Sequence, residues 1–264
     1  MPGKEFGPGK EFGIADEGSG NLRMTAHTMR RKVAVAAICL LAACGKSAQP
    51  VPQRAVQRAV RAPQPALTGP ERHVLAIGDS LFAGYDLRTE QAYPQRLEAA
   101  LRAQGINAQV INAGVSGDTT ADGLARLDFA LASQPAPPDL VLICLGGNDM
   151  LRGLPPKQTR DNLAAILRRL EQRHITVLLM GMLAAPNLGH DYDDAFDSLY
   201  PALAKQYHAA LVPFFLRAVI DRPDLQLADH LHPTPAGVEA IVAMTTRQVK
   251  TLLGRARNLG RKPG

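Results

Sequence analysis

Five apolar runs of strand length, separated by amphipathic stretches, constrain this chain more than any other feature. They read HVLAIGD (73–79), AQVINAGV (108–115), DLVLICLGG (139–147), TVLLMGML (176–183) and ALVPFFL (210–216). The segments between them carry helical spacing. Leu97, Ala100 and Leu101 share a face in 91–104, Leu124, Leu127 and Leu131 in 119–133, and Leu163, Ile166, Leu167 and Leu170 in 157–174. Segments 195–208 and 235–253 complete the set. Strands that are apolar on both faces and alternate with helices belong in a parallel sheet covered on both sides. The pattern predicts an α/β domain with a five-stranded parallel sheet over 71–264, large enough to bury a core without disulfides or metal ions.

In such a sheet, function gathers in the loops beyond the carboxyl ends of the strands. Gly78-Asp79-Ser80 follows the first run, NAGVSGDTT with Gly117 the second, and Gly146-Gly147-Asn148-Asp149 the third. Asp229-His230-Leu231-His232-Pro233 stands just before the last helix. A hydroxyl, a small residue with a free backbone N–H, a carboxamide and an Asp/His pair are the parts of nucleophilic acyl transfer. A plainer reading is open for each: Ser80 as a helix cap, Asn148, Asp118 and Asp149 as turn residues, and His230 as a rival base to His232. Asp118 and Asp149 are read as structural, Arg126 and Arg152 as members of structural ion pairs, and His190 as exposed loop. Asp79 is read as tying its turn together and is also set, with Pro186 and Asn187, among the candidate substrate-binding positions.

The blocks IGDSLFAGY, NAGVSGDTTADGLARL, LGGNDMLRG and DHLHP, in that order, resemble the four catalytic blocks of the SGNH (GDSL-type) hydrolase superfamily. The wording is similar to its bacterial thioesterase I/lysophospholipase/arylesterase group, and the resemblance runs from about His73 to Leu253. It implies a flavodoxin-like three-layer α/β/α sandwich. It makes Ser80 the nucleophile, His232 the base and Asp229 its partner, with Ser80, Gly117 and Asn148 as the oxyanion hole. It favours His232 over His230 because Pro233 follows directly. No cofactor and no metal are implied. The substrates implied are small acyl or aryl esters, acyl-thioesters or lysophospholipids, and the stretch PNLGHDYDDAF (186–196) borders the acyl pocket. The alternatives weighed are a carbohydrate O-acetyl esterase and, from another class, a non-catalytic lipid- or glycan-binding lipoprotein.

Upstream, residues 29–44 read MRRKVAVAAICLLAAC: three cations, then twelve apolar residues ending in cysteine. As a helix that run spans about 18 Å, short of a bilayer core of about 30 Å, and it fits the apolar core of a secretory signal. Its end, Leu41-Ala42-Ala43-Cys44, resembles the lipobox of bacterial lipoproteins, which implies lipidation of Cys44 and export to the periplasm or a membrane-anchored position. Residues 1–28, with the repeat PGKEFGPGKEFG, are read as a non-native or disordered extension, and residues 45–70, rich in Pro, Gln and Ala, as an extended tether.

The formal charge of +6 suggests a polyanion partner until it is located. Residues 71–264 hold 20 basic and 20 acidic side chains, whereas residues 1–70 hold 10 and 4. Nucleic-acid binders carry their charge on a folded face, so a nucleic-acid role is excluded. The three cysteines form no Cys-x-x-Cys pair and no zinc-like cluster with histidine. Cys144 reads as a small buried hydrophobe. The expected partners are a small-molecule or lipid ester and, through the anchor, a membrane; a monomer is expected.

Overall fold

The computed structural model describes residues 66–185 and 187–259. The readings of residues 1–65, Cys44 among them, and of Pro186 lie outside the described residues. The five apolar runs become β1 (Thr68–Gly78), β2 (Ile106–Gly114), β3 (Leu140–Cys144), β4 (Thr176–Met180) and β5 (Ala210–Val212). They form one parallel sheet in the order β2-β1-β3-β4-β5. That is the flavodoxin-like order, in which the chain reverses direction beside β1 and leaves a crevice at the ends of β1 and β3.

The connections are α1 (Ser80–Ala83), α2 (Tyr93–Arg102), α3 (Thr120–Ala132), α4 (Gly147–Leu151), α5 (Pro156–Gln172), α6 (His190–Asp197), α7 (Leu199–Gln206) and α8 (Pro235–Leu259). Contacts pair α2 with α8, and α5 with both α3 and α7, giving one helical layer on each face of the sheet. Each strand presents side chains to both layers, which is why every residue of β3, Leu140–Cys144, is buried. Phe82, Tyr93 and Phe215 pack as an aromatic cluster, and the Tyr93 hydroxyl meets Thr245 Oγ1 at 2.8 Å, tying α2 to α8. Cys144 is fully buried at the end of β3, and desolvation pushes its thiol well above the usual range.

Some boundaries differ from the sequence expectation. β1 starts at Thr68, inside the stretch assigned to the tether: Thr68 already pairs with Ile106 of β2, ahead of a register shift between Thr68 and Arg72. Gly69 and Pro70 sit in that irregularity, where a proline is tolerated in a strand. The helix expected over 195–208 is instead two, α6 and α7, divided at Ser198. Pro201 is the cause: it has no N–H to donate to the Asp197 carbonyl and its ring crowds that carbonyl. His190, expected in a loop, is exposed but opens α6.

Register positions the site. Gly78 of β1 lies level with Gly114 of β2 and with Cys144 of β3. Ser80, Gly117 and Asn148 therefore follow three adjacent strands within two to four residues of a common edge.

Candidate active site

The first strand ends in a tight turn rather than a loop. The Asp79 N–H donates to the Cys144 carbonyl at 3.2 Å, and Asp79 Oδ1 accepts from the Leu81 N–H at 3.0 Å. The helix cap is thus Asp79, and Ser80 is the first residue of α1. That leaves the serine hydroxyl without a structural duty. Asp79 is only 2% exposed, which corrects its place among the substrate-binding candidates: it holds the turn and does not face solvent.

The Ser80 hydroxyl meets His232 Nε2 at 2.8 Å, and His232 Nδ1 meets Asp229 Oδ2 at 2.7 Å. The other Asp229 oxygen accepts the backbone N–H groups of Leu231 (2.9 Å) and His232 (3.0 Å). This Asx turn, with His230 in the left-handed region at φ 55°, places aspartate and imidazole on one side without any helix. His230 itself makes no side-chain hydrogen bond among the described residues. Partial burial pushes the Asp229 carboxyl up, but the two backbone donors and the imidazole outweigh it, and it settles at about 2. Its partner ring is well covered, with His232's side chain 12% exposed.

The candidate N–H donors follow the same sheet edge as Ser80. Among the described residues, neither the Ser80 nor the Gly117 backbone N–H reaches a protein acceptor. Gly117 lies in the turn closed by the Asp118 N–H donating to the Val115 carbonyl, and its φ of +87° is a glycine conformation. Arg126 pairs with Asp118 at 2.6 Å and also donates to the Gly78 carbonyl, so this turn is bound to β1. Asn148 Nδ2 donates to the Asp118 carbonyl at 3.0 Å, with a long 3.4 Å contact to Asp79 Oδ2. The loop that carries Asn148 is shaped by Gly146, where φ is +110° and a Cβ would lie 2.2 Å from the Tyr200 hydroxyl. Asp149, fully buried, accepts from the Thr120 N–H at 2.8 Å and is structural, as expected.

A hydroxyl, imidazole and carboxylate in one hydrogen-bonded row, beside two free N–H groups and an amide, can perform nucleophilic acyl transfer. The family model described as GDSL-like Lipase/Acylhydrolase matches residues 76–240, more than half of the chain. The chain belongs to the GDSL-like lipase/acylhydrolase family. An arylesterase from Vibrio mimicus is 44% identical over 162 residues, covering 61% of this chain and 80% of the relative. The Escherichia coli K12 thioesterase 1/protease 1/lysophospholipase L1 is 37% identical over 180 residues, covering 68% and 84%. The crystal structure of AlinE4, an SGNH-hydrolase family esterase, is 58% identical with a TM-score of 0.60, covering 70% of this chain and 97% of its own. This GDSL hydrolase is a serine esterase of the SGNH fold.

Several contacts of this esterase were not visible in its sequence. Tyr85 stacks on His232, ring centroids 4.4 Å apart at 29°. Arg152 makes no ion pair among the described residues, contrary to expectation; its guanidinium donates to the Gly117 carbonyl at 2.7 Å and braces that turn. Tyr200 supports the Asn148 loop from below by donating to the Leu145 carbonyl at 3.0 Å. Asn187 lies exposed in the turn after β4. Among the described residues no group of three or more His, Cys, Asp or Glu side chains is placed to hold a metal ion.

Asp79 gives this esterase a stability signature. Desolvation by burial, aided by the nearby Asp118 and Asp149 charges, raises its carboxyl to about 7 against the pull of backbone donors. The folded chain therefore keeps a proton that an unfolded aspartate releases near pH 4. Stability from this group is complete below about pH 4, falls as pH rises and levels off above about 7. Asn at this position accepts the Leu81 N–H equally well and does not titrate. The melting-temperature difference, Asp79→Asn minus wild type, is expected to grow from pH 4 to 7 and then flatten. A difference independent of pH counts against it.

Proposed function

We propose that the chain hydrolyses small acyl or aryl esters, acyl-thioesters or lysophospholipids through an acyl-Ser80 intermediate. The observation that carries this is the continuous row Asp229–His232–Ser80, with contacts of 2.7 and 2.8 Å. Ser80 Oγ attacks the carbonyl carbon while His232 Nε2 takes its proton. Asp229 keeps the other ring proton on Nδ1, so that Nε2 has its lone pair free for the transfer. The negative oxygen of the tetrahedral intermediate is received by the Ser80 and Gly117 N–H groups and by Asn148 Nδ2. The imidazolium then protonates the leaving alcohol or thiol as the C–O or C–S bond breaks. Water repeats the cycle: His232 removes its proton, it attacks the acyl carbon, and Ser80 leaves as the alcohol.

Asn148 tests the oxyanion role. Removing one such donor costs about 10²–10³ in kcat. Asn148→Ala is expected to show a loss in that range with KM changed little, measured on a nitrophenyl ester. A rise in KM with kcat intact would assign Asn148 to substrate binding instead.

The substrate class is tested by a chain-length series. Rates on nitrophenyl esters and acyl-thioesters from two to sixteen carbons are expected to exceed acetate release from acetylated xylan. The reverse order favours a carbohydrate O-acetyl esterase. Export and lipidation at Cys44 are part of the same proposal, supported by the cationic start, the apolar core and the Leu41–Cys44 stretch. Such an anchor would hold the enzyme beside membrane-derived esters. Intact-mass measurement of membrane-extracted protein is expected to show a diacylglyceryl adduct on Cys44; an unmodified thiol refutes lipidation.

A further inference from the structure

We propose that Tyr85 is a positioning residue for ester hydrolysis, its ring being the platform that holds the His232 imidazole in line between Ser80 and Asp229. The inference rests on the triad reading above. Both ring nitrogens of His232 are engaged at their edges, Nε2 with Ser80 and Nδ1 with Asp229. The two in-plane hydrogen bonds and the bond to Cβ set the orientation of the ring, but none of them packs against its faces. A contact on a ring face resists turning about the Cβ–Cγ bond, the motion that would break both hydrogen bonds at once. Tyr85 supplies one, at 4.4 Å between centroids.

The platform is delivered by the nucleophile's own turn. The Tyr85 N–H donates to the Ser80 carbonyl at 3.1 Å, and the Gly84 N–H to the same oxygen at 3.0 Å. Tyr85 lies between two residues in the left-handed region, Gly84 at φ +82° and Asp86 at φ +55°. An aspartate adopts that conformation more readily than most side chains but still at a cost. The backbone is thus bent on both sides of a tyrosine that is 49% exposed. Burial in the core does not account for the ring, whereas the contact with His232 does. One short segment carries the attacking oxygen and the surface against which its base rests. The same π face meets the positive charge that appears on the imidazole during attack, an attraction that grows in the transition state.

The test separates this role from contact with substrate. Tyr85→Leu is expected to lower kcat about tenfold, the size a cation–π contact supports, with KM within about twofold. The same factor is expected for a methyl ester and a naphthyl ester, since the effect passes through His232 and not through the leaving group. Tyr85→Phe keeps the ring and is expected to restore most of the rate. In NMR spectra the carbon-bound ring protons of His232 should be shifted upfield by the aromatic ring in wild type and Tyr85→Phe, and should move downfield in Tyr85→Leu. Tyr85→Met, flexible and without a π face, serves if the leucine variant does not fold. A loss that scales with leaving-group size, a KM effect alone, or unmoved His232 protons would overturn the proposal. Wild type and Ser80→Ala are run alongside: ester turnover by the first and none by the second upholds the triad whatever Tyr85 does.

Discussion

Ser80→Ala is expected to lower kcat on a nitrophenyl ester by about a million-fold, the scale found when a triad nucleophile is removed. Among the described residues, the Ser80 hydroxyl is the hydrogen-bond partner of His232 Nε2, at 2.8 Å. The turn that carries it is held by the Asp79 cap on one side and by the Asp79 N–H to Cys144 carbonyl bond on the other. Neither bond involves the Ser80 side chain, so alanine should leave the fold unaltered. Circular dichroism and melting curves matching wild type check that, and make the loss one of chemistry. A residual rate within tenfold of wild type would mean that acyl transfer does not pass through Ser80.

Asp229→Asn has the second largest expected effect, roughly 10⁴-fold in kcat, by analogy with other triads. Its two oxygens have separate duties. One accepts the backbone N–H groups of Leu231 and His232, and an asparagine oxygen can keep that turn. The other accepts from Nδ1, and there the asparagine presents an NH₂ group instead. The imidazole must then turn its lone pair toward Nδ1 and carry its proton on Nε2, where it cannot take the proton of Ser80. The fold persists while the tautomer is wrong. Asp229→Ala removes both duties and should also lower the melting temperature. With its carboxyl at about 2, Asp229 remains ionised throughout the range in which esterases are assayed. Stability from this depressed group is present above about pH 4 and fades only as pH falls toward 2, so no change between pH 5 and 9 arises from its titration. An Asp229→Asn rate near that of wild type would show that the turn, and not the tautomer, is its contribution.

Much of this could be read from the residues alone. The strands were legible because burial on both faces leaves uninterrupted apolar runs such as Leu140–Cys144. The placement of the candidate site was legible because a parallel sheet turns sequence order into a common edge, and Ser80, Gly117 and Asn148 each lie just past a strand end. The break at Ser198 was missed although Pro201 signals it, since the apolar spacing continues across it. The start of β1 was missed because Gly69 and Pro70 look like tether, whereas a register shift accommodates them in the sheet. The contacts of Tyr85 and Arg152 left no trace in the sequence. Each acts on a residue distant in the chain, His232 and Gly117 respectively, and periodicity carries no information about such pairs. For Asp79 the sequence is compatible with both a turn role and a substrate contact, and its burial favours the turn.

The central claim is that one activated serine hydroxyl receives the acyl group. Treatment with a fluorophosphonate, followed by intact mass and peptide mapping, tests it directly. One adduct per chain is expected, located on Ser80, absent in Ser80→Ala and formed far more slowly in His232→Ala. An adduct on another residue, or sustained ester hydrolysis by fully labelled protein, would contradict it.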